Sequence, residues 1–370
     1  MSRTNLTYQE DLSYWVGLSL FPKFGPARQK KLLAYFSDAK SAYEAQKREL
    51  ISAGLDEKTA AEFIQSRSGY DLDSEMEKIK KQEIGVITYA DLEYPRLLSE
   101  LPDAPALLYY RGNLKCAQRF CLAVVGSRKF SSYGEHATMK LVGELARCGL
   151  SIVSGLAIGI DTLAHNAALQ ANGKTIAVLG SGVDKLSVYP RANFNLSEKI
   201  IDNGGLLISE FPLGTPALRH HFPQRNRIVA GLSLGALIIE AAAKSGALIT
   251  AGLALDYNRE VFAVPGNIFS AVSAGTNELI KNGAQLVASA QDVLSALSLE
   301  NANASQKAQK NIPDTALESD LMSILNHEPM HINTLARTAK LDTATINATL
   351  ITMELKGYIR NVGGGNYILS

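Results

Sequence analysis

The chain has 370 residues, 46% of them hydrophobic, and a formal net charge of +1. That composition supports a sizeable buried core divided into two or three domains, and it excludes a protein coated in positive charge, so any polyanion site must be a local patch. The three cysteines, Cys116, Cys121 and Cys148, fit neither a disulfide framework nor a zinc site and read as buried reduced thiols. The amino terminus lacks an apolar signal core, and the longest uncharged apolar run, Ile228 to Ile239, is too short to cross a bilayer. The expected location is the cytoplasm, with no membrane partner.

From Tyr8 to Tyr70 the runs DLSYWVGLSL, PARQKKLLAYF, SAYEAQKREL and EKTAAEFIQSR carry helical periodicity and predict a small helical domain over residues 1–75. Between the first two runs, Phe21-Pro22-Lys23-Phe24-Gly25-Pro26 could form the turn of a helix-hairpin-helix, whose amides can meet a DNA phosphate. The turn has one Gly where the usual motif has two, and plain packing is the competing reading.

Residues 84–297 change texture. Short apolar runs at 121–126, 151–155, 175–180, 205–209, 235–240, 260–266 and 284–289 alternate with helical segments. Such spacing predicts an α/β domain with a doubly wound, mostly parallel sheet covered on both faces, which binds ligands at the carboxyl ends of its strands. The turns at those ends carry the candidate chemistry. Gly126-Ser127-Arg128 follows the first apolar strand and offers a close backbone approach, a hydroxyl and a planar donor fork suited to phosphate. The Gly-rich turn from Ser154 to Asp161 opens a helix, and a later turn holds Ser245, Gly246 and Thr250. Several small-residue turns along one edge make a long groove rather than one deep pocket.

The strongest charge anomaly is Arg219-His220-His221-Phe222-Pro223-Gln224-Arg225-Asn226-Arg227, inside a stretch from Phe211 to Ile239 with no Asp or Glu. Arginines, histidines and an aromatic without counter-charge suit something anionic and flat-faced, as single-stranded nucleic acid is. Part of that acid-free stretch is apolar strand and helix, so burial accounts for some of it.

Catalytic signals are weak. No G-x-G-x-x-G follows the first apolar strand, and no nucleophile elbow, H-E-x-x-H helix or Walker loop occurs. Asp161 and His165 could be imagined as an acid/base pair, but a capping Asp beside a packed His is the favoured reading. The expectation is no catalytic residue, no metal and no cofactor.

A polar segment over 298–312 reads as a flexible linker. Residues 313–370 then read as three helices and a Gly-turned hairpin, resembling a winged helix. Its third helix, from about Thr343 to Leu355, has no Lys or Arg, and the region holds four basic residues against six acidic ones. A major-groove reader needs positive charge near phosphates, so protein docking is the expected role.

The ordered set GSRKFSSYG, SGLAIGIDTLAH, TIAVLGSGVDKLSVYP, GGLLISEFP, HFPQRNRIVAGL, SGALITAGLAL, VFAVPG and GTNELIKNGA, spanning about Tyr94 to Leu297, resembles the DNA-processing protein A (DprA or Smf) family. The resemblance implies a Rossmann-like domain flanked by a helical domain of the SAM or helix-hairpin-helix type and a winged helix. It further implies a non-enzymatic protein that binds single-stranded DNA, protects it and helps load the RecA recombinase in natural transformation, as a homodimer. By the same resemblance Arg128 would grip a backbone phosphate near Ser127. Phe222 would stack on a base beside Arg219. Arg225, Asn226 and Arg227 would divide between contact and support, and Leu279 and Ile280 are candidates for the dimer patch. Two other classes stay open: a nucleoside-monophosphate phosphoribohydrolase, whose P-G-G-x-G-T-x-x-E signature is replaced here by SGALITAGLA, and a protein-interaction scaffold.

Overall fold

The computed structural model describes residues 5–299, 315–325, 329–339, 341–355 and 359–369. By its internal contacts the chain divides into two units, Met1–Leu297 and Ser298–Ser370. Most of the segment expected to be a linker, 298–312, lies outside the described residues.

The first unit begins with α1 (Asn5–Leu20), α2 (Pro26–Tyr35), α3 (Ala39–Glu44), α4 (Lys47–Ser52), α5 (Glu57–Arg67) and α6 (Leu72–Lys81). Asp38, Asp56 and Asp71 cap α3, α5 and α6 by accepting from backbone N–H groups of the first turn. The Phe21–Pro26 turn points its aromatics inward: the Phe21 and Phe24 rings lie 4.8 Å apart edge-to-face, and both meet Phe63. Packing of that kind is what two Phe in a six-residue turn contribute, and it leaves Gly25 with open space around it.

The sheet consists of β1 (Gly85–Thr88), β2 (Leu107–Gly112), β3 (Cys121–Val125), β4 (Ser151–Ser154), β5 (Thr175–Val178), β6 (Leu206–Ser209), β7 (Gly235–Ile238), β8 (Glu260–Ala263) and β9 (Gln285–Leu286). Its order is β1-β2-β6-β5-β4-β3-β7-β8-β9. From β6 to β9 every pairing is parallel, while β1 and β2 add antiparallel at the β6 edge. The connecting helices are α7 (Arg96–Ser99), α8 (Ser132–Arg147), α9 (Ile160–Gln170), α10 (Phe194–Asp202), α11 (His221–Gly231), α12 (Gly246–Asp256), α13 (Ala274–Lys281) and α14 (Ala290–Ala296).

Why the central strands read as unbroken apolar runs is visible in their burial. All five residues of β3 and all four of β4 to β7 are buried. Alternate residues serve opposite faces: Ile176, Val178, Leu206 and Ile208 pack with Ile228 and Ala251, whereas Ala177 and Leu207 pack with Leu196 and Ile200. The second of these cores also takes in Val16 and Ile79, so α1 and α6 rest against the sheet.

β3 is the first strand of the parallel set and lies between β4 and β7. From it the chain proceeds outward through β4, β5 and β6, then returns to lay β7 on the other side. Right-handed crossovers send the helices that follow β3 and β7 to opposite faces, which opens a crevice at the carboxyl ends of those two strands.

The second unit holds α15 (Ala316–Ile324), α16 (Ile332–Ala339) and α17 (Thr343–Leu355), with β10 (Met330–His331), β11 (Ile359–Gly363) and β12 (Asn366–Leu369). The strands form an antiparallel sheet in the order β10-β12-β11. Leu321, Leu335, Ile346, Leu350 and Met353 make its core, with Tyr367 of the wing packed against them. Gly363, Gly364 and Gly365 all have positive φ, a conformation that suits Gly and turns the hairpin.

Candidate nucleic-acid interface

A groove of about 500 Å³ occupies the crevice between the ends of β3 and β7. The Gly126–Lys129 turn, the first turns of α11 and α12, and Ala157 line it. Three sequence segments expected to share one edge therefore meet in one place.

The turn after β3 is fixed by its backbone. Ser127 N donates to Glu240 O at 2.7 Å, and Ser127 O accepts from Ile160 N at 3.2 Å. Gly126 and Gly159 allow this approach: a Cβ on Gly126 would meet Ile160 Cγ1 at 2.7 Å, and one on Gly159, whose φ is +102°, would meet Ser127 O at 2.4 Å. The Ser127 hydroxyl is spent locally, donating to Lys129 O at 2.6 Å and accepting from Lys129 N at 3.1 Å. What the turn offers a ligand is Arg128, which is exposed and has no carboxylate partner among the described residues. Its guanidinium carbon sits 5.8 Å from the centre of the Phe222 ring, within cation–π range.

Phe222 belongs to the first turn of α11 and is half-buried. Gly180, two residues beyond β5, lies under one edge of its ring: a Cβ there would be 3.2 Å from Phe222 Cδ1. The neighbouring His221 faces inward. Its ring stacks on Phe211 with centroids 4.1 Å apart, and Nδ1 lies 3.2 Å from Gly180 O, while burial lowers its pKa. Of the two histidines in the cluster, His220 alone is exposed.

The arginines of α11, expected to divide between contact and support, both lie largely buried. Arg225 is 4% exposed, and its Nη1 donates to Val178 O at 2.6 Å. Burial pulls its pKa down to about 10, against the opposing pull of Asp161 and with a further push from Arg128. Gly155 exists to make room for it, since a Cβ there would lie 1.9 Å from Arg225 Nη1. Asp161, also buried, does not cap α9; its Oδ2 accepts from Gly155 N at 3.0 Å and Ala157 N at 3.3 Å and so braces the turn before that helix. Desolvation raises its pKa while Arg225 and the amides oppose the rise. Arg227 turns away from the groove altogether: Nη1 donates to Asp103 O at 2.6 Å and Nη2 pairs with Glu210. Arg227 is thus a support for the base of α11 rather than a ligand contact, and Arg225 is mainly a brace beneath the floor.

The remaining candidates divide. Asn226 lines the groove. Ser245 caps α12, accepting from Ala247 N at 3.3 Å; Gly246 is exposed at the helix start; Thr250 is 1% exposed and serves as floor. Arg219 is exposed in the turn ahead of α11 but is not among the groove's lining residues. Leu279 packs against the core and Ile280 is half-buried. His165 is fully buried with Nδ1 2.7 Å from Thr175 Oγ1, and burial drives its pKa down to about 3, so it cannot work with Asp161 on a ligand in the groove. Among the described residues no group of three or more His, Cys, Asp or Glu could hold a metal, and no helix is long and apolar enough to cross a membrane.

Sequence reasoning did not single out Glu240. It is 2% exposed, just beyond the end of β7, and accepts from Ser131 N at 2.9 Å and Ser131 Oγ at 2.5 Å, tying the start of α8 to β7. The available signal was an acid ending the apolar run GALIIE, where a buried carboxylate must find donors.

A family described as DNA recombination-mediator protein A matches residues 85–298, and the DprA winged helix domain matches residues 305–365. Protein Smf of Escherichia coli is 42% identical over 283 residues, covering 75% of each chain. The solved structure of DNA processing protein A from Streptococcus pneumoniae is 38% identical, with a TM-score of 0.67 over 80% of this chain and 98% of that one. The corresponding protein from Helicobacter pylori, described for its single-stranded DNA binding mode, is 32% identical, with a TM-score of 0.52 over 58% of this chain and 95% of that one. On these matches, with the sheet over the first and a winged helix over the second, the chain belongs to the DNA-processing protein A (DprA/Smf) family.

Proposed function

We propose that this protein binds single-stranded DNA in the groove between β3 and β7, shields it and hands it to the RecA recombinase, working in the cytoplasm as a homodimer and not as an enzyme. The observation that carries the reading is Arg128 poised over Phe222: an exposed guanidinium with no carboxylate partner among the described residues, next to an aromatic ring. Asp161, the acid among the groove's lining residues, is already engaged by backbone amides. A phosphate supplies the missing counter-charge and an unpaired base supplies a face for the ring. The Helicobacter pylori relative's binding of single-stranded DNA supports the same assignment. Family membership supports the recombinase and the homodimer, for which Leu279 and Ile280 are the proposed patch. In this reading residues 1–75 and 313–370 are accessory domains that precede and follow the binding domain at 84–297 in the chain, with the winged helix docking a protein.

Affinity for a 30-mer single strand and for the matching duplex, measured by gel shift across a salt series, tests the proposal. The expected result is a preference for the single strand and a steep loss of affinity with salt. Equal affinity for both forms, or no binding at low salt, would contradict it.

A further inference from the structure

Phe222 is not alone. Tyr189, in the segment between β5 and α10, lies beside it with ring centroids 6.0 Å apart and planes tilted by 44°. Tyr189 is 50% exposed, and Ile158 nearby is 54% exposed. Together with Arg128, Gly155, Pro190 and Phe222 they line a small cleft of about 50 Å³ that adjoins the main groove. Among the described residues the Tyr189 hydroxyl has no hydrogen bond, so nothing in the fold requires a phenol at this position; what the site uses is a flat face open to solvent.

We infer that Tyr189 is a second base-stacking platform, which seats the nucleotide next to the one on Phe222. The inference rests on the proposed binding of single-stranded DNA and adds a residue and a strand geometry to it. The two rings already touch, since their spacing falls in the range of aromatic contact, so no base slides between them. Bases must instead use the outer faces, one on Phe222 and one on Tyr189. Because those faces are tilted by 44°, consecutive bases seated on them cannot remain stacked on each other. Arg128 stands on the same cleft and is placed to hold the phosphate that joins them. The pair thus acts as a wedge that accepts an unstacked strand and rejects a duplex, whose bases stay parallel.

Fluorescence anisotropy with a labelled oligothymidylate tests this on the full chain. Tyr189→Ala should weaken binding roughly five- to hundredfold, the worth of one stacked base, with the salt slope unchanged. Tyr189→Phe should restore wild-type affinity to within about twofold, because the face and not the hydroxyl is used. Thermal melting of both variants alongside the wild type separates lost binding from lost folding. Wild-type affinity in Tyr189→Ala while Phe222→Ala is weak would overturn this inference and leave the functional reading standing. A Tyr189→Phe variant as weak as Tyr189→Ala would also overturn it. Failure of the wild-type protein to bind the oligonucleotide at low salt would overturn both.

Discussion

Arg128 and Arg225 border one groove, yet they do opposite work. Arg128 is exposed above the Phe222 ring with no carboxylate partner among the described residues; Arg225 is buried beneath it, with Val178 O and Asp161 for company. The same contrast separates Phe222 from Arg227 along α11, one facing the groove and the other clamped to Asp103 and Glu210. The difference teaches that a cluster of like charges in a sequence can be a rim and a brace at once. An exposed guanidinium with no counter-ion is available to a phosphate, whereas a buried one turns to the protein: Arg225 Nη1 donates to Val178 O, while its Nε has no hydrogen-bond partner among the described residues.

Breaking the brace should give the largest effect. Arg225→Ala removes the donor to Val178 O and the positive charge nearest the buried Asp161 and opens a cavity under Gly155, so the expected loss of stability is about 2–5 kcal/mol, read as a lower denaturant midpoint. A variant as stable as the wild type would show that Arg225 is not a brace and that the contrast with Arg128 fails.

A second effect concerns His165, whose pKa is pushed down by burial and by the charge of Arg225. His165 stays neutral in the fold down to pH about 3, whereas in the unfolded chain it takes up a proton near its ordinary value of 6.5. The unfolded state therefore binds more protons between those two values, so the contribution of His165 to stability is present above pH 6.5 and is lost as pH falls toward 3. The slope from this one group is about 1.4 kcal/mol per pH unit. Comparing denaturation of the wild type and His165→Asn from pH 7 to pH 4 checks it: the variant's curve should be flatter, and parallel curves would show that His165 is not held neutral.

Much of this arrangement was legible in the sequence. The runs that became β3 to β7 are fully buried parallel strands, and β8 is buried from its second residue on, a setting in which short unbroken apolar runs alternate with helices. The Gly126–Arg128 and Ser245–Thr250 turns were readable as strand-end turns for the same reason. The antiparallel pair β1 and β2 was not identified, because GVIT and LLYYRG lie among turns and short helices without a flanking crossover pattern. Nor was the inward fate of Arg225 and Arg227. Their partners Val178 and Asp103 are 47 and 124 residues away, and an arginine's burial is decided by such distant neighbours rather than by its local pattern. Ser127 misled for the opposite reason: its hydroxyl found Lys129 two residues on, a local bond that hydroxyl side chains in turns commonly make.

The most direct measurement is the salt dependence of single-strand affinity in the wild type, Arg128→Ala and Phe222→Ala. If Arg128 grips a phosphate and Phe222 a base, Arg128→Ala should weaken binding and flatten the slope of log affinity against log salt by about 0.7, one single-strand phosphate contact. Phe222→Ala should weaken binding by about 1–3 kcal/mol with the wild-type slope. The same slope in all three proteins would contradict the division of the groove into a charged rim and a stacking face.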